Sequence, residues 1–134
     1  MTRQKPSELE LQVLSVLWER KQVTVRELLA AMPDGKKRAY TTLLSVLQVM
    51  EKKALVAHDR SGLTHVYRPA VKTRQVLGPL LRGLVRNVFG GSPSNVLQSL
   101  ITDADIGQQE LAKIKELIEN MNNDPRQGKG KAHD

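Results

Sequence analysis

Residues 55–69, LVAHDRSGLTHVYRP, decide the fold of this 134-residue chain. Upstream of Lys53 apolar residues recur at helical spacing, and from Leu55 that period is lost. Val56 to Asp59 and Leu63 to Arg68 read as two strands around Ser61-Gly62, a small-residue turn, and Pro69 ends the second because it has no N–H for a ladder. With the turn at Ser61-Gly62, His58 and His65 become cross-strand partners.

Three helices precede this hairpin. Ser7 with Glu10 forms a Ser-x-x-Glu capping box, in which each side chain satisfies the other residue's free backbone N–H. Leu9, Val13, Val16 and Leu17 follow at helical spacing, with Leu11, Leu14 and Trp18 on an adjoining face, so this helix is expected to be buried on more than one side. Thr24 with Glu27 repeats the box before a short helix carrying Val25, Leu28, Leu29 and Met32, which Pro33-Asp34-Gly35 closes. A third helix runs roughly from Tyr40 to Lys53. Tyr40, Leu43, Leu47 and Met50 are its inward positions, and Thr41, Thr42, Ser45, Gln48 and Lys52 its outward ones. Three helices and a hairpin, in that order, make a winged helix-turn-helix domain.

Helical spacing returns after Lys72 with Val76, Leu77, Leu80, Leu81, Leu84, Val85 and Val88. Gly78-Pro79 predicts a kink or a late start, and Gly90-Gly91 a stop. Ser92-Pro93 starts a short helix with Val96, Leu97, Leu100 and Ile101. A last helix, about Gln108 to Met121, has Leu111, Ile114, Leu117, Ile118 and Met121 on one side. The polar segment from Asn122 to Asp134 reads as a disordered tail. The expected fold is therefore mainly α with a small β-hairpin wing: a winged-helix DNA-binding domain over 1–72, a helical dimerisation domain over 73–121 and a tail over 122–134.

Charge separates the two halves. Residues 1–74 carry 14 Lys and Arg against 7 Asp and Glu, whereas residues 75–134 carry 7 against 7. The whole net charge of +7 therefore sits beside the hairpin, as expected of a part that grips a polyanion. There is no cysteine, which excludes a disulfide framework and thiolate metal sites. No apolar run is long enough to span a membrane and no signal-peptide profile opens the chain, so a soluble, cytoplasmic protein is expected. His58 and His65 would need a third or fourth ligand to hold Zn²⁺, and none is evident. No nucleophile-and-base spacing, phosphate loop or isolated carboxylate pair suggests catalysis, and no cofactor or small-molecule ligand is evident.

An α-helix fits the major groove of duplex DNA and reads bases with its N-terminal part. Here that part supplies Lys37, Arg38, Tyr40, Thr41 and Thr42, with Ser45 one turn on. Lys and Arg can neutralise phosphates, while Thr and Ser can hydrogen-bond base edges or phosphates. On the wing, Arg60, His65 and Arg68 are placed to reach the flanking backbone or minor groove. The leucine-rich second half carries more apolar residues than so short a piece can hide alone. Leu77, Leu81, Leu84, Val88, Leu97, Leu111, Ile114, Leu117 and Ile118 are the candidate dimer contacts, and a two-fold dimer matches a palindromic operator. The alternatives are a winged helix that docks on an acidic protein, and a DNA-binding architectural protein without sequence preference.

Ala39-Tyr40-Thr41-Thr42, Val66-Tyr67-Arg68-Pro69 and Phe89-Gly90-Gly91-Ser92 together resemble the penicillinase-repressor family, which includes the methicillin-resistance repressors; the likeness spans roughly Ser7 to Asn120. The resemblance implies a dimeric repressor of dyad-symmetric operators, often upstream of β-lactamase or sensor-protease genes. It also implies a regulatory protease as a partner, with induction by cleavage in the C-terminal domain. Tyr40, Thr41 and Thr42 match the motif that opens the family's recognition helix. Val49-Met50 stands where the family usually has Arg-Leu, and Lys53-Ala54-Leu55 where it has Lys-Gly-Leu. Ser99-Leu100 falls near the position of the resistance repressors' Asn-Phe cleavage bond. Without cysteine the chain lacks the cluster of the family's copper-responsive branch.

Overall fold

The computed structural model describes residues 5–103 and 105–123. Its elements are α1 (Glu8–Arg20), β1 (Val23–Thr24), α2 (Val25–Ala31), α3 (Tyr40–Lys52), β2 (Val56–Ser61), β3 (Thr64–Pro69), α4 (Thr73–Asn87), α5 (Pro93–Asp103) and α6 (Gln108–Asn122). The mainly α fold with a hairpin wing is the one expected. By packing, the chain divides into two units, Met1–Leu81 and Arg82–Asp134, and the division falls within α4. The tail expected over 122–134 falls, beyond Asn123, outside the described residues, while Asn122 itself is the last residue of α6.

Both capping boxes form. Ser7 Oγ accepts from Glu10 N–H at 3.1 Å while Glu10 Oε1 accepts from Ser7 N–H at 2.9 Å. Thr24 and Glu27 do the same at 3.1 and 2.8 Å. Each box satisfies backbone donors that the helix cannot. In α1, Val13, Leu14, Val16 and Leu17 are all buried, which explains its broad apolar surface. They meet Leu28 of α2, Leu43, Leu47 and Met50 of α3, and Leu55, Val56 and Tyr67 around the hairpin. Trp18 adds a polar tie, its indole N–H donating to the Val71 carbonyl at 2.9 Å.

The hairpin turns on Gly62-Leu63, not Ser61-Gly62, because Ser61 pairs with Thr64. Gly62 takes a positive φ of 65° while Leu63 does not, the pattern of a type II′ turn, whose first central position favours glycine. The one-residue shift changes every cross-strand pair. His58 faces Tyr67 and His65 faces Arg60, so the two histidines are not direct partners. They meet diagonally instead, with ring centroids 4.7 Å apart. A third strand, β1, pairs antiparallel with β3 through Val23–Tyr67 and Thr24–Val66, giving the order β1-β3-β2. Tyr40, expected inward, is 42% exposed. As the first residue of α3, it lies beyond the end of the core layer that Leu43 begins.

Further on, α4 starts at Thr73 and runs through Pro79, so there is no late start. Proline there leaves the Gln75 carbonyl without its helical donor. Val76 is buried, and Leu77 and Leu80 pack against the core of the first unit. Those contacts hold the first half of α4 in place despite the proline. In the second unit Gly90 and Gly91 both adopt positive φ, and the Ser92 hydroxyl accepts from Asn95 N–H at 3.3 Å to start α5. No side chain of α5 or α6 is buried.

Candidate nucleic-acid interface

The burial of Leu43, Leu47 and Met50 fixes the rotation of α3, and with it the face left open. Thr41, Ser45, Gln48 and Lys52 then form one exposed stripe, with Thr42 and Val49 beside it. Thr41, Thr42 and Ser45 are small polar groups that offer both donors and acceptors. Tyr40, Leu44 and Gln48 share an open groove of about 510 Å³ with Leu63, Thr64 and His65 of the hairpin and with Thr24, Val25 and Arg26. The wing tip thus stands along one flank of α3. Leu63 at that tip is 94% exposed.

The basic residues divide into paired and open ones. Arg38 makes a two-pronged contact with Asp34, at 3.0 Å to Oδ1 and 2.6 Å to Oδ2. Lys36 N–H also donates to Asp34 Oδ1, at 3.0 Å. The Arg38 guanidinium first, and then the Lys36 N–H, hold the Asp34 carboxyl well below the usual carboxylate range. Asp34 in turn raises Arg38. Both terminal nitrogens of Arg38 are therefore committed to the loop that leads into α3. Arg68 donates from Nε to Asp59 at 2.9 Å, which leaves its terminal nitrogens available. Among the described residues, Lys37 and Arg60 make no ion pair.

The wing is tied to α3 by a contact with no sequence signal. His58 Nδ1 lies 2.8 and 2.9 Å from the two carboxylate oxygens of Glu51, near the C-terminus of α3. The same imidazole stacks on His65 and is tilted on Tyr67, with centroids 5.3 Å apart. Burial raises the Tyr67 phenol above its ordinary value, and the Glu51 charge adds to the shift. Sequence reasoning also passed over Arg26. It stands among the apolar positions of α2, and only the fold brings it to the groove.

The candidate dimer contacts are spread over three helices. Leu81 and Leu84 of α4, Val88 in the turn that follows it, and Leu117 and Ile118 of α6 are exposed, Val88 at 66% and Leu117 at 62%. Leu97, Leu111 and Ile114 are half-buried, as is Leu77, which leans on the core of the first unit. Leu100, Ile101 and Met121 are further exposed apolar residues of the second unit.

A helix-turn-helix pair, a β-wing and an exposed basic surface define the winged-helix class. Within that class the chain belongs to the penicillinase repressor family, whose model matches residues 6–120. It is 30% identical over 115 residues to the transcriptional regulator BlaI of Mycobacterium tuberculosis, covering 81% of this chain and 83% of that protein. Over 117 residues it is 17% identical to the penicillinase repressor of Bacillus licheniformis, covering 87% and 91%. The Staphylococcus aureus penicillinase repressor is 15% identical over 112 residues, covering 84% and 89%. No helix among the described residues is long and apolar enough to cross a membrane.

Proposed function

We propose that this chain is a sequence-specific transcriptional repressor that binds a dyad-symmetric operator as a homodimer and occludes a promoter. The observation that carries this reading is the open face of α3, where Thr41, Thr42 and Ser45 stand clear while Leu43, Leu47 and Met50 are buried. Such a helix enters the major groove with its N-terminal residues against base edges. Lys37, Arg60 and the free nitrogens of Arg68 supply phosphate contacts. Arg38 joins them only by sharing or leaving Asp34. Membership of the family and the names of its relatives point the same way, and the names of two relatives, both penicillinase repressors, support a β-lactamase gene among the targets.

Homodimer formation rests on the second unit. The second unit buries no side chain in α5 or α6 and exposes Leu84, Val88, Leu117, Ile118 and Met121, more apolar surface than an isolated unit of this size keeps in water. A two-fold partner covers it and sets two copies of α3 on successive half-sites. The DNA-binding part then extends into α4, because Val76, Leu77 and Leu80 complete its core. Relief by proteolysis near Ser99-Leu100 has a structural requirement. Both residues lie inside α5, and a protease needs extended backbone, so cleavage there demands local opening of that helix.

The test is fluorescence anisotropy with a duplex from the gene's own upstream region beside a scrambled duplex, at two salt concentrations. A preference of about 10³ or more for the native duplex is expected. Equal, steeply salt-dependent binding to both would indicate an architectural protein, and no binding a protein-docking module.

A further inference from the structure

The Arg26 guanidinium carbon lies over the Tyr40 ring, 5.5 Å from its centroid. One residue belongs to the first turn of α2 and the other opens α3, so the contact joins the two helices of the helix-turn-helix pair at the edge of the reading face. Both are exposed. Arg26 also lines two concave surfaces at once: the groove shared by α3 and the wing tip, and a neighbouring one walled by Lys36, Lys37 and Arg38. Among the described residues it makes no ion pair, whereas Arg38 is held by Asp34, Arg68 by Asp59 and Lys53 by Glu10.

We propose that Arg26 is a phosphate-binding residue of the DNA interface and that Tyr40 is its positioning residue. The inference rests on the DNA-binding reading above. A ring beneath a guanidinium fixes its plane and lies against its face, leaving the edge N–H groups free for the two-pronged geometry a phosphate accepts. In helix-turn-helix proteins the first helix of the pair crosses the DNA backbone while the second enters the groove. Arg26 is the exposed cation on that first helix, and contact there sets how α3 is registered in the groove. The stack also accounts for an aromatic residue left exposed at the start of α3. Tyr40 serves by orienting a cation, and the reading of bases falls to Thr41, Thr42 and Ser45.

The test uses the full chain with Arg26→Met, Tyr40→Phe, Tyr40→Leu and the double variant Arg26→Met/Tyr40→Leu, each shown by thermal melting to be folded. Binding to the upstream duplex and to its scrambled counterpart is followed across a salt series. Arg26→Met is expected to weaken both complexes by a similar factor, about tenfold, and to flatten the logarithmic salt dependence by roughly one contact. Tyr40→Phe, which keeps the ring, is expected to stay within about twofold of the parent, and Tyr40→Leu to lose several-fold. The double variant is expected to match Arg26→Met alone, since a positioning residue has no effect once the group it positions is gone. An unchanged salt slope in Arg26→Met overturns the phosphate assignment. A loss from Tyr40→Leu that persists undiminished in the Arg26→Met background overturns the positioning role. If the parent protein binds neither duplex, the DNA reading itself fails and the Arg26 assignment with it.

Discussion

Lys53, at the end of α3, places its Nζ 3.1 Å from both carboxylate oxygens of Glu10, the acidic member of the α1 capping box. Glu10 is buried and also accepts from Ser7 N–H, so one carboxylate anchors the start of the first helix and the end of the third. Lys53→Met leaves that charge uncompensated. A loss of about 1–3 kcal/mol in stability is expected, read from urea denaturation. A midpoint equal to the parent's would show that the pair contributes nothing.

Ala54 adopts a φ of 63°, in the left-handed region. It follows the last turn of α3, where Ala54 N–H donates to Glu51 O at 3.0 Å and Leu55 N–H to Met50 O at 2.9 Å, a Schellman closure that favours glycine. Ala54→Gly should therefore stabilise the protein by about 1 kcal/mol, the strain released outweighing the extra freedom of the unfolded chain. The check is a higher melting temperature, and a lower one would refute the strain argument.

Asp34 has a depressed pKa in the folded protein, so its contribution to stability is present above its ordinary value of about 3.8 and is lost as pH falls below it. An NMR titration of the Asp34 carboxyl should show a midpoint well under that ordinary value. In Arg38→Gln the midpoint should move back up, because the Arg38 hydrogen bonds are the main cause of the shift. An unmoved midpoint would assign the shift to the Lys36 N–H instead.

Thr42 stands exposed on the open side of α3. Thr42→Ala should weaken binding to the upstream duplex by about 1–3 kcal/mol and leave binding to scrambled duplex nearly unchanged. Equal losses on both would show that Thr42 contacts backbone and reads no base.

Val88 and Leu117 are the most exposed candidate dimer contacts. Val88→Asp and Leu117→Asp should each shift the protein toward monomer in sedimentation velocity, with weaker operator binding and an unaltered melting of the winged unit. Dimers that persist in both variants would remove these faces from the interface.

Local signals sufficed for two helix starts and for the core face of α3 beyond Tyr40. Ser7/Glu10 and Thr24/Glu27 set two helix starts by hydrogen bonds three residues apart, and the burial of Leu43, Leu47 and Met50 follows the helical period the sequence displays. Registers and partners were less legible. Ser61-Gly62 reads as the turn, yet the hairpin turns on Gly62-Leu63, in a register where β3 pairs on both sides. No local pattern marks Val23–Thr24 as a strand, since its partner lies more than forty residues away.

The amino-acid sequence by itself determined the order of the helices and the hairpin, the winged architecture, the basic first half and the family, because capping, periodicity and composition act over a few residues or over the chain as a whole. Tertiary structure alone decided which of the cations are free. Arg38 is committed to Asp34 and Arg68 to Asp59, whereas Arg26, over the Tyr40 ring, makes no ion pair among the described residues. The physical reason is that a side chain's charge is written in the sequence, but the neighbour that holds or neutralises it is chosen by how the helices and the wing pack.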